Sequence, residues 1–154
     1  MTSVRQQIID TIVDRIGAID GVGEVIHALD KSTSISEVIA DGKVFIDFSA
    51  SDDDPNDAAS VNGGEASKFD VVVCVHFDPE MVEGKRADQI GDEWYTKIYD
   101  LYGTEELRSW GGLAIDTGRL GGGGIGMTDR GFPAVAHAFE VSYRHVIGSA
   151  GVQL

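Results

Sequence analysis

Two stretches of this chain alternate over nine residues each, and they constrain the fold more than any other feature. Phe69, Val71, Val73, Val75 and Phe77 share one parity, against Asp70, Val72, Cys74 and His76 on the other. Val135, His137, Phe139, Val141 and Tyr143 likewise alternate with Ala136, Ala138, Glu140, Ser142 and Arg144. A period of two places each apolar set on one side of an extended strand, so the chain must build a sheet that buries one face. Lys43 to Ser49 repeats the pattern, with Val44, Ile46 and Phe48 set against Phe45, Asp47 and Ser49, and Val25 to Leu29 is a shorter β-prone run.

The buried face needs a cover, and two helices are predicted to supply it. Over residues 3–16, Val4, Ile8 and Ile12 form one row at helical spacing and Ile9, Val13 and Ile16 the adjacent one. Ser3 and Gln6 fit a capping box, and Gly17 fits a C-terminal cap. Over residues 86–102, Ala87, Ile90, Trp94, Ile98 and Leu101 make a core stripe, beside an aromatic row of Tyr95, Tyr99 and Tyr102. Gly103 ends that helix, and Thr104 caps a short helical turn through Trp110. The order of elements predicts an α+β fold, a mainly antiparallel twisted sheet of four to five strands with two helices packed on one face. There is no internal repeat, and 1–154 reads as one domain. Two segments lack periodicity and are expected to be loops: an acidic hairpin loop over 51–67 and a glycine-rich loop over 117–131 that contains Gly121 to Gly124.

Charge narrows the function. Twelve Lys and Arg against 26 Asp and Glu leave a formal net charge of −14, which disfavours gripping DNA or RNA and is repelled by anionic membranes. The N-terminal run carries Arg5, Asp10, Asp14 and Arg15, so it offers neither a signal-peptide core nor a membrane span, and synthesis in the cytoplasm is expected. With Cys74 as the single cysteine, no internal disulfide forms.

The motif inventory is sparse. Gly121, Gly123 and Gly126 spell G-x-G-x-x-G, but Met127 to Pro133 after them is no helix, so the dinucleotide fingerprint lacks its context. Asp116-Thr117-Gly118 spells the triplet of dimeric aspartic proteases, yet Arg119 follows where a small residue is preferred. A turn in which Asp116 accepts local hydrogen bonds is the expected role. Asp52, Asp54 and Asn56 imitate a calcium loop whose sixth position is Asp57 instead of Gly and whose twelfth is Gly63 instead of Glu. His27, His76, His137 and His145 lack metal-ligand spacing and read as partly buried polar residues. No nucleophile, base and oxyanion site assemble from these residues, so the expectation is a non-enzymatic module without cofactor or metal.

The succession of VRQQIIDTIVDRI running into GVGEVIHAL, the strand FDVVVCVHF, the helix ADQIGDEWYTKIYDLY and a final AFEVSYRH resembles the tail terminator (tail completion) proteins of long-tailed bacteriophages and phage-like particles. The resemblance covers nearly the whole chain. It implies a homohexameric ring at the head–tail junction of a virion, assembled in the host cytoplasm. Such a ring caps the tail tube protein, ends its polymerisation and meets the neck or head-completion connector protein. DNA would pass through a bore that repels it, since six copies multiply the net negative charge. On this reading Arg119, Arg130, Tyr95, Tyr99 and Tyr102 are candidate subunit or partner contacts, and Asp52, Asp53, Asp54 and Asp57 are lumen or partner-facing charge. Another neck adaptor, or a protease using Asp116, are the alternatives.

Overall fold

The computed structural model describes residues 2–30, 35–61, 64–128 and 130–146, the side chains of 54–65, 145 and 146 excepted. The elements run α1 (Val4–Gly17), β1 (Val22–His27), α2 (Ile35–Ala40), β2 (Val44–Ala50), β3 (Asp54–Val61), β4 (Gly64–His76), α3 (Ala87–Tyr99), β5 (Asp116–Met127) and β6 (Pro133–Val146). The sheet has six strands in the order β1-β2-β4-β6-β5, with β3 also paired to β4.

The two alternating stretches become the centre of this sheet. β4 and β6 pair antiparallel over thirteen registered positions, from Gly64↔Val146 to His76↔Ala134. Their apolar parity, Phe69, Val71, Val73 and Val75 with Val135, Phe139, Val141 and Tyr143, is buried in one cluster with Val4, Ile8, Ile12 and Ile16 of α1 and Ile90, Trp94 and Ile98 of α3. Both long helices therefore cover the same face, as expected from their stripes. Ser3 caps α1 by accepting from the Gln6 amide at 3.0 Å, but only half of the expected box forms, because the Gln6 side chain donates to Asp10 instead. Gly17 is the last helical residue and Ala18 is the cap, so the cap lies one residue later than expected.

Four features depart from the expectation. First, β1 and β2 pair in parallel, because the six-residue helix α2 between them serves as the crossover that a parallel pair requires. A β-carbon on Gly23 would lie 2.4 Å from Val38 Cγ1, a contact that puts α2 close against β1 on the face opposite α1 and α3. Second, the acidic segment 51–67 is mostly strand. β2 pairs with β4 from Phe45↔His76 to Ala50↔Val71, and β3 continues along the same side of β4 from Asp54↔Lys68. The interruption at 51–53 is bridged by Ser51, whose amide donates to the Asp70 carbonyl at 2.8 Å and whose hydroxyl accepts from the Asp70 amide at 2.8 Å. The result is one long hairpin whose distal half, the β3 arm with its partner Gly64–Lys68, stays within the sheet, since Gly64–Lys68 also pair with Ser142–Val146 of β6. Third, the glycine-rich segment is an edge strand: β5 pairs with β6 from Asp116↔Ser142 to Met127↔Pro133, with irregularities after Arg119 and Gly122. The irregularities use backbone that glycine alone adopts readily. Gly122 has φ +113, and a β-carbon there would sit 2.1 Å from the Ala136 carbonyl oxygen. Fourth, the short helical turn expected from Thr104 is present, with the Leu107 and Arg108 amides donating to the Thr104 carbonyl, but the turns run on to residue 113, past Trp110. Trp110 is fully buried at φ 50, a left-handed value rare for a bulky residue.

Trp110 is held by its neighbours. Its indole Nε1–H donates to Thr117 Oγ1 at 2.8 Å, and the Thr117 hydroxyl donates to the Arg108 carbonyl at 2.8 Å. The Arg15 guanidinium lies 4.8 Å from the indole ring and donates to the carbonyls of Leu101 and Leu107. Asp116, the first residue of the Asp-Thr-Gly triplet, opens β5 as an exposed strand residue instead of sitting in a turn, while the Thr117 side chain is taken up by the indole.

Candidate functional site

α3 carries the aromatic row to the β5 side of the sheet. Its start is secured by the Arg86 amide donating to Gln89 Oε1 at 2.9 Å. It packs closely on β5 because residue 91 is glycine, where a β-carbon would lie 2.5 Å from Ile125 Cδ1. Four of the five expected contact residues come together here. Arg119 Nη1 donates to the Tyr95 hydroxyl at 3.1 Å. The rings of Tyr95 and His137 are 4.3 Å apart, and those of Tyr99 and Tyr102 are 5.3 Å apart. The row is graded in burial: Tyr102 is core, Tyr95 is half-buried, and Tyr99, at 37% exposure, is on the surface. Only Tyr95 and Tyr99, with Arg119, are placed to meet a partner.

Beneath them, the Tyr102 hydroxyl is hydrogen-bonded to His137 Nε2, both groups buried. Burial pushes the Tyr102 hydroxyl well above the usual phenol range. Burial, aided by the Arg119 charge, pushes the His137 imidazole down to about 4, so it is neutral at pH 7. This cluster is therefore an uncharged support for the Arg119 cation and supplies no proton donor near neutrality.

Arg130 is found elsewhere. Its Nε donates to Asp47 Oδ2 at 2.9 Å and its guanidinium lies over the Phe45 ring, so this cation is engaged within its own chain, apart from the other four candidate contact residues. Asp53, expected as lumen or partner-facing charge, has partners within the chain. It pairs with Arg5 Nε at 3.2 Å and accepts from the Tyr143 hydroxyl at 2.7 Å, which ties the base of the arm to α1 and β6. Asp52 is exposed. Asp54 and Asp57 lie on β3, where the backbone alone is described, and Gly63 of the calcium-loop comparison and the His145 side chain fall outside the described residues.

The pairing of Asp47 with His76 escaped the sequence reading. Asp47 Oδ2 lies 2.9 Å from His76 Nε2, and His76 Nδ1 lies 3.1 Å from Thr128 Oγ1. These residues, with Ala28, Cys74 and Arg130, line a cleft of about 430 Å³. It lies on the sheet face away from the long helices. Burial works to raise the Asp47 carboxyl, but the hydrogen bonds from His76 and Arg130 outweigh it and hold the group below the usual carboxylate range. Burial, and then the Asp47 charge, push the Cys74 thiol up to about 11, so it is no nucleophile. The order Thr128–His76–Asp47 has the atoms of a hydrolytic relay. However, Asp47 is shared with Arg130, and the Thr128 hydroxyl is also 3.4 Å from the Phe132 carbonyl. The arrangement works as a clasp that fastens the β5–β6 turn to β2 and β4. A signal was present: Asp47 interrupts a strand of large apolar residues, and a buried carboxylate requires donors. Among the described residues no group of three or more His, Cys, Asp or Glu side chains is placed to hold a metal ion.

β5 forms one of the two ends of the sheet among the described residues, β1 the other. Among the described residues β5 pairs with β6 alone. It and the residue before it carry Ile115, Leu120 and Met127 at 54%, 52% and 72% exposure, three of the five large apolar side chains left exposed among the described residues. No protein-family model and no curated protein matches this chain.

Proposed function

We propose that this protein is a structural virion component, a tail-terminator-like subunit that closes into a homohexameric ring on the phage tail tube, ends tube growth and joins the tail to the neck. The observation that carries the assembly reading is the bare β5 edge. A twelve-residue strand whose outer side is unpaired among the described residues, and which carries exposed Leu120 and Met127, presents a row of backbone donors and acceptors to a partner. Of the devices that protect such an edge it has Arg119 and the irregularities after Arg119 and Gly122, and neither Lys nor Pro. A subunit in an oligomer needs no such protection, because a neighbour covers the edge. The sequence resemblance supports the ring in particular, as does the helix-on-sheet order that the fold shares with the expectation. The net charge of −14 per chain suits a collar through which DNA slides. The site residues fit the same reading: the Asp47 clasp fastens the β5–β6 turn, and the His137 cluster backs Tyr95, which holds Arg119 on β5.

The experiment is the mass of the purified chain by light scattering over a wide concentration range, with electron micrographs of the same sample. A six-chain mass and annular particles are expected. Leu120→Glu with Met127→Glu should reduce the particle to monomers that keep the parent circular dichroism spectrum. A single-chain mass at every concentration overturns the proposal.

A further inference from the structure

Arg130 is a largely buried cation most of whose hydrogen-bonding capacity is unmet. Its side chain is 20% exposed. Asp47 takes its Nε–H at 2.9 Å, and the Phe45 ring, with its centroid 5.2 Å from the guanidinium carbon, backs one face of the group. Among the described residues neither Nη1 nor Nη2 has a hydrogen-bond partner. A guanidinium carries five N–H donors, so four stay available on the two Nη atoms. Donors on a desolvated charge are costly to leave without acceptors, and the cleft that Arg130 lines is where acceptors can reach them.

The surroundings are fixed in advance. Asp47 and His76, 9% and 1% exposed, form a rigid polar floor on β2 and β4, and Asp47 Oδ2 holds the His76 ring and the Arg130 guanidinium at once. A cation seated between a carboxylate and an aromatic ring loses little freedom when it meets a ligand. Ala28 and Cys74 supply small walls, and burial keeps the Cys74 thiol neutral near pH 7, so it behaves there as a small apolar side chain. At about 430 Å³ the cleft lies at the small end of the range of about 300–1,000 Å³ usual for small-molecule sites.

We propose that this cleft binds a small organic monocarboxylate, whose two oxygens accept from Nη1 and Nη2 of Arg130 and whose apolar body lies between Ala28 and Cys74. The planar fork of the guanidinium matches the two oxygens of a carboxylate, and such charge-assisted pairs are stronger than bonds to a neutral acceptor. Asp47 already balances the Arg130 charge from the Nε side, so one further negative charge can share the guanidinium, whereas a phosphate dianion would add twice the repulsion from Asp47. Thr128 and Arg130 belong to the β5–β6 connection, and the floor belongs to β2 and β4. A ligand held across the cleft therefore tightens the clasp, and binding to the folded state alone raises its stability. The site does not depend on assembly into a ring.

The test is titration of the purified protein with propionate and with benzoate to about 100 mM at constant ionic strength, read by ligand-observed saturation-transfer NMR and by Tm. Propionamide serves as the neutral isostere and inorganic phosphate as the competing anion. Saturable transfer and a rise in Tm are expected for at least one of the two acids, and neither for propionamide. Arg130→Lys keeps a cation beside Asp47 but loses the fork, and should weaken binding roughly tenfold or more. Cys74→Leu fills the cleft while leaving Arg130 and Asp47 in place, and should abolish binding; it decides the question if Arg130→Lys does not fold. No saturable signal from either acid overturns the site, as does binding that is undiminished in Cys74→Leu. Undiminished binding in a folded Arg130→Lys, or equal binding of propionamide, overturns the role of the Arg130 fork. Phosphate that binds more tightly than both acids overturns the monocarboxylate assignment.

Discussion

Gly122→Ala and Gly124→Ala, made two residues apart in the same glycine run, should have opposite outcomes. At Gly122 a β-carbon would stand 2.1 Å from the Ala136 carbonyl oxygen and 2.9 Å from its carbon, both backbone atoms of the central partner strand, at φ +113. A left-handed backbone costs a non-glycine residue about 1–3 kcal/mol. Relieving the overlap by moving β5 away from β6 costs roughly a further 1–3 kcal/mol. About 4 kcal/mol of destabilisation follows, and at roughly 2–4 °C per kcal/mol for a chain of this size Tm should fall by about 8–16 °C. At Gly124 a β-carbon meets nothing within 4 Å and φ lies outside the left-handed range, so alanine should be neutral or stabilise by about 0.5 kcal/mol through the unfolded state. Thermal unfolding followed by circular dichroism, with urea titration for the free energies, reads both. Equal Tm values for the two variants would refute the assignment of this segment as a strand and return it to an open loop.

Three further outcomes are expected. Asp47→Ala strands the His76 and Arg130 donors in the cleft, with an expected loss of about 2–4 kcal/mol in urea unfolding. Because the folded Asp47 pKa lies below its ordinary value, its contribution is present above the unfolded carboxylate range and is lost as pH falls through the folded value, so the stability gap between parent and Asp47→Asn should narrow in strong acid. His137 titrates at about 4 when folded and near the ordinary 6.5 when unfolded, so stability is complete above 6.5 and declines by up to about 3 kcal/mol as pH falls towards 4; His137→Gln should flatten that decline in a pH series of Tm. Trp110→Phe removes the indole donor from buried Thr117 and weakens the Arg15 stacking, for about 1–3 kcal/mol by the same urea titration, and Thr117→Val in that background should recover part of it.

The periodic residues were legible because burial acts on them one face at a time. Phe69 to Phe77, Val135 to Tyr143 and the isoleucines of α1 all occupy the places their spacing requires. β5 was not legible because glycine carries no hydropathy signal. It is strand only because β6 offers hydrogen bonds and Gly122 permits the close approach. β3 was hidden by its aspartates, whose weak strand preference is overridden by the ladder to β4. The parallel β1–β2 pair depends on a helix of six residues, too short to announce itself by period. At the candidate site, Arg119 and the tyrosines could be singled out as residue types, but their meeting at His137 required the β5–β6 register. Asp47 and His76, 29 positions apart, are joined only by the β2–β4 register that sets Phe45 opposite His76.

The placement of β6 also governs when the molecule can exist. It is the last strand of the described residues, yet among them it is the thirteen-position partner of β4 and the sole partner of β5. During synthesis β4 must wait for residues 77–132 and then β6 itself to follow before its second side is filled, and α3 has no completed sheet to rest on until then. Such delayed, long-range closure folds slowly and leaves a tacky intermediate on the ribosome. Until residues 133–146 emerge β5 has no ladder to join, so the free β5 edge comes into being only once β6 has been translated.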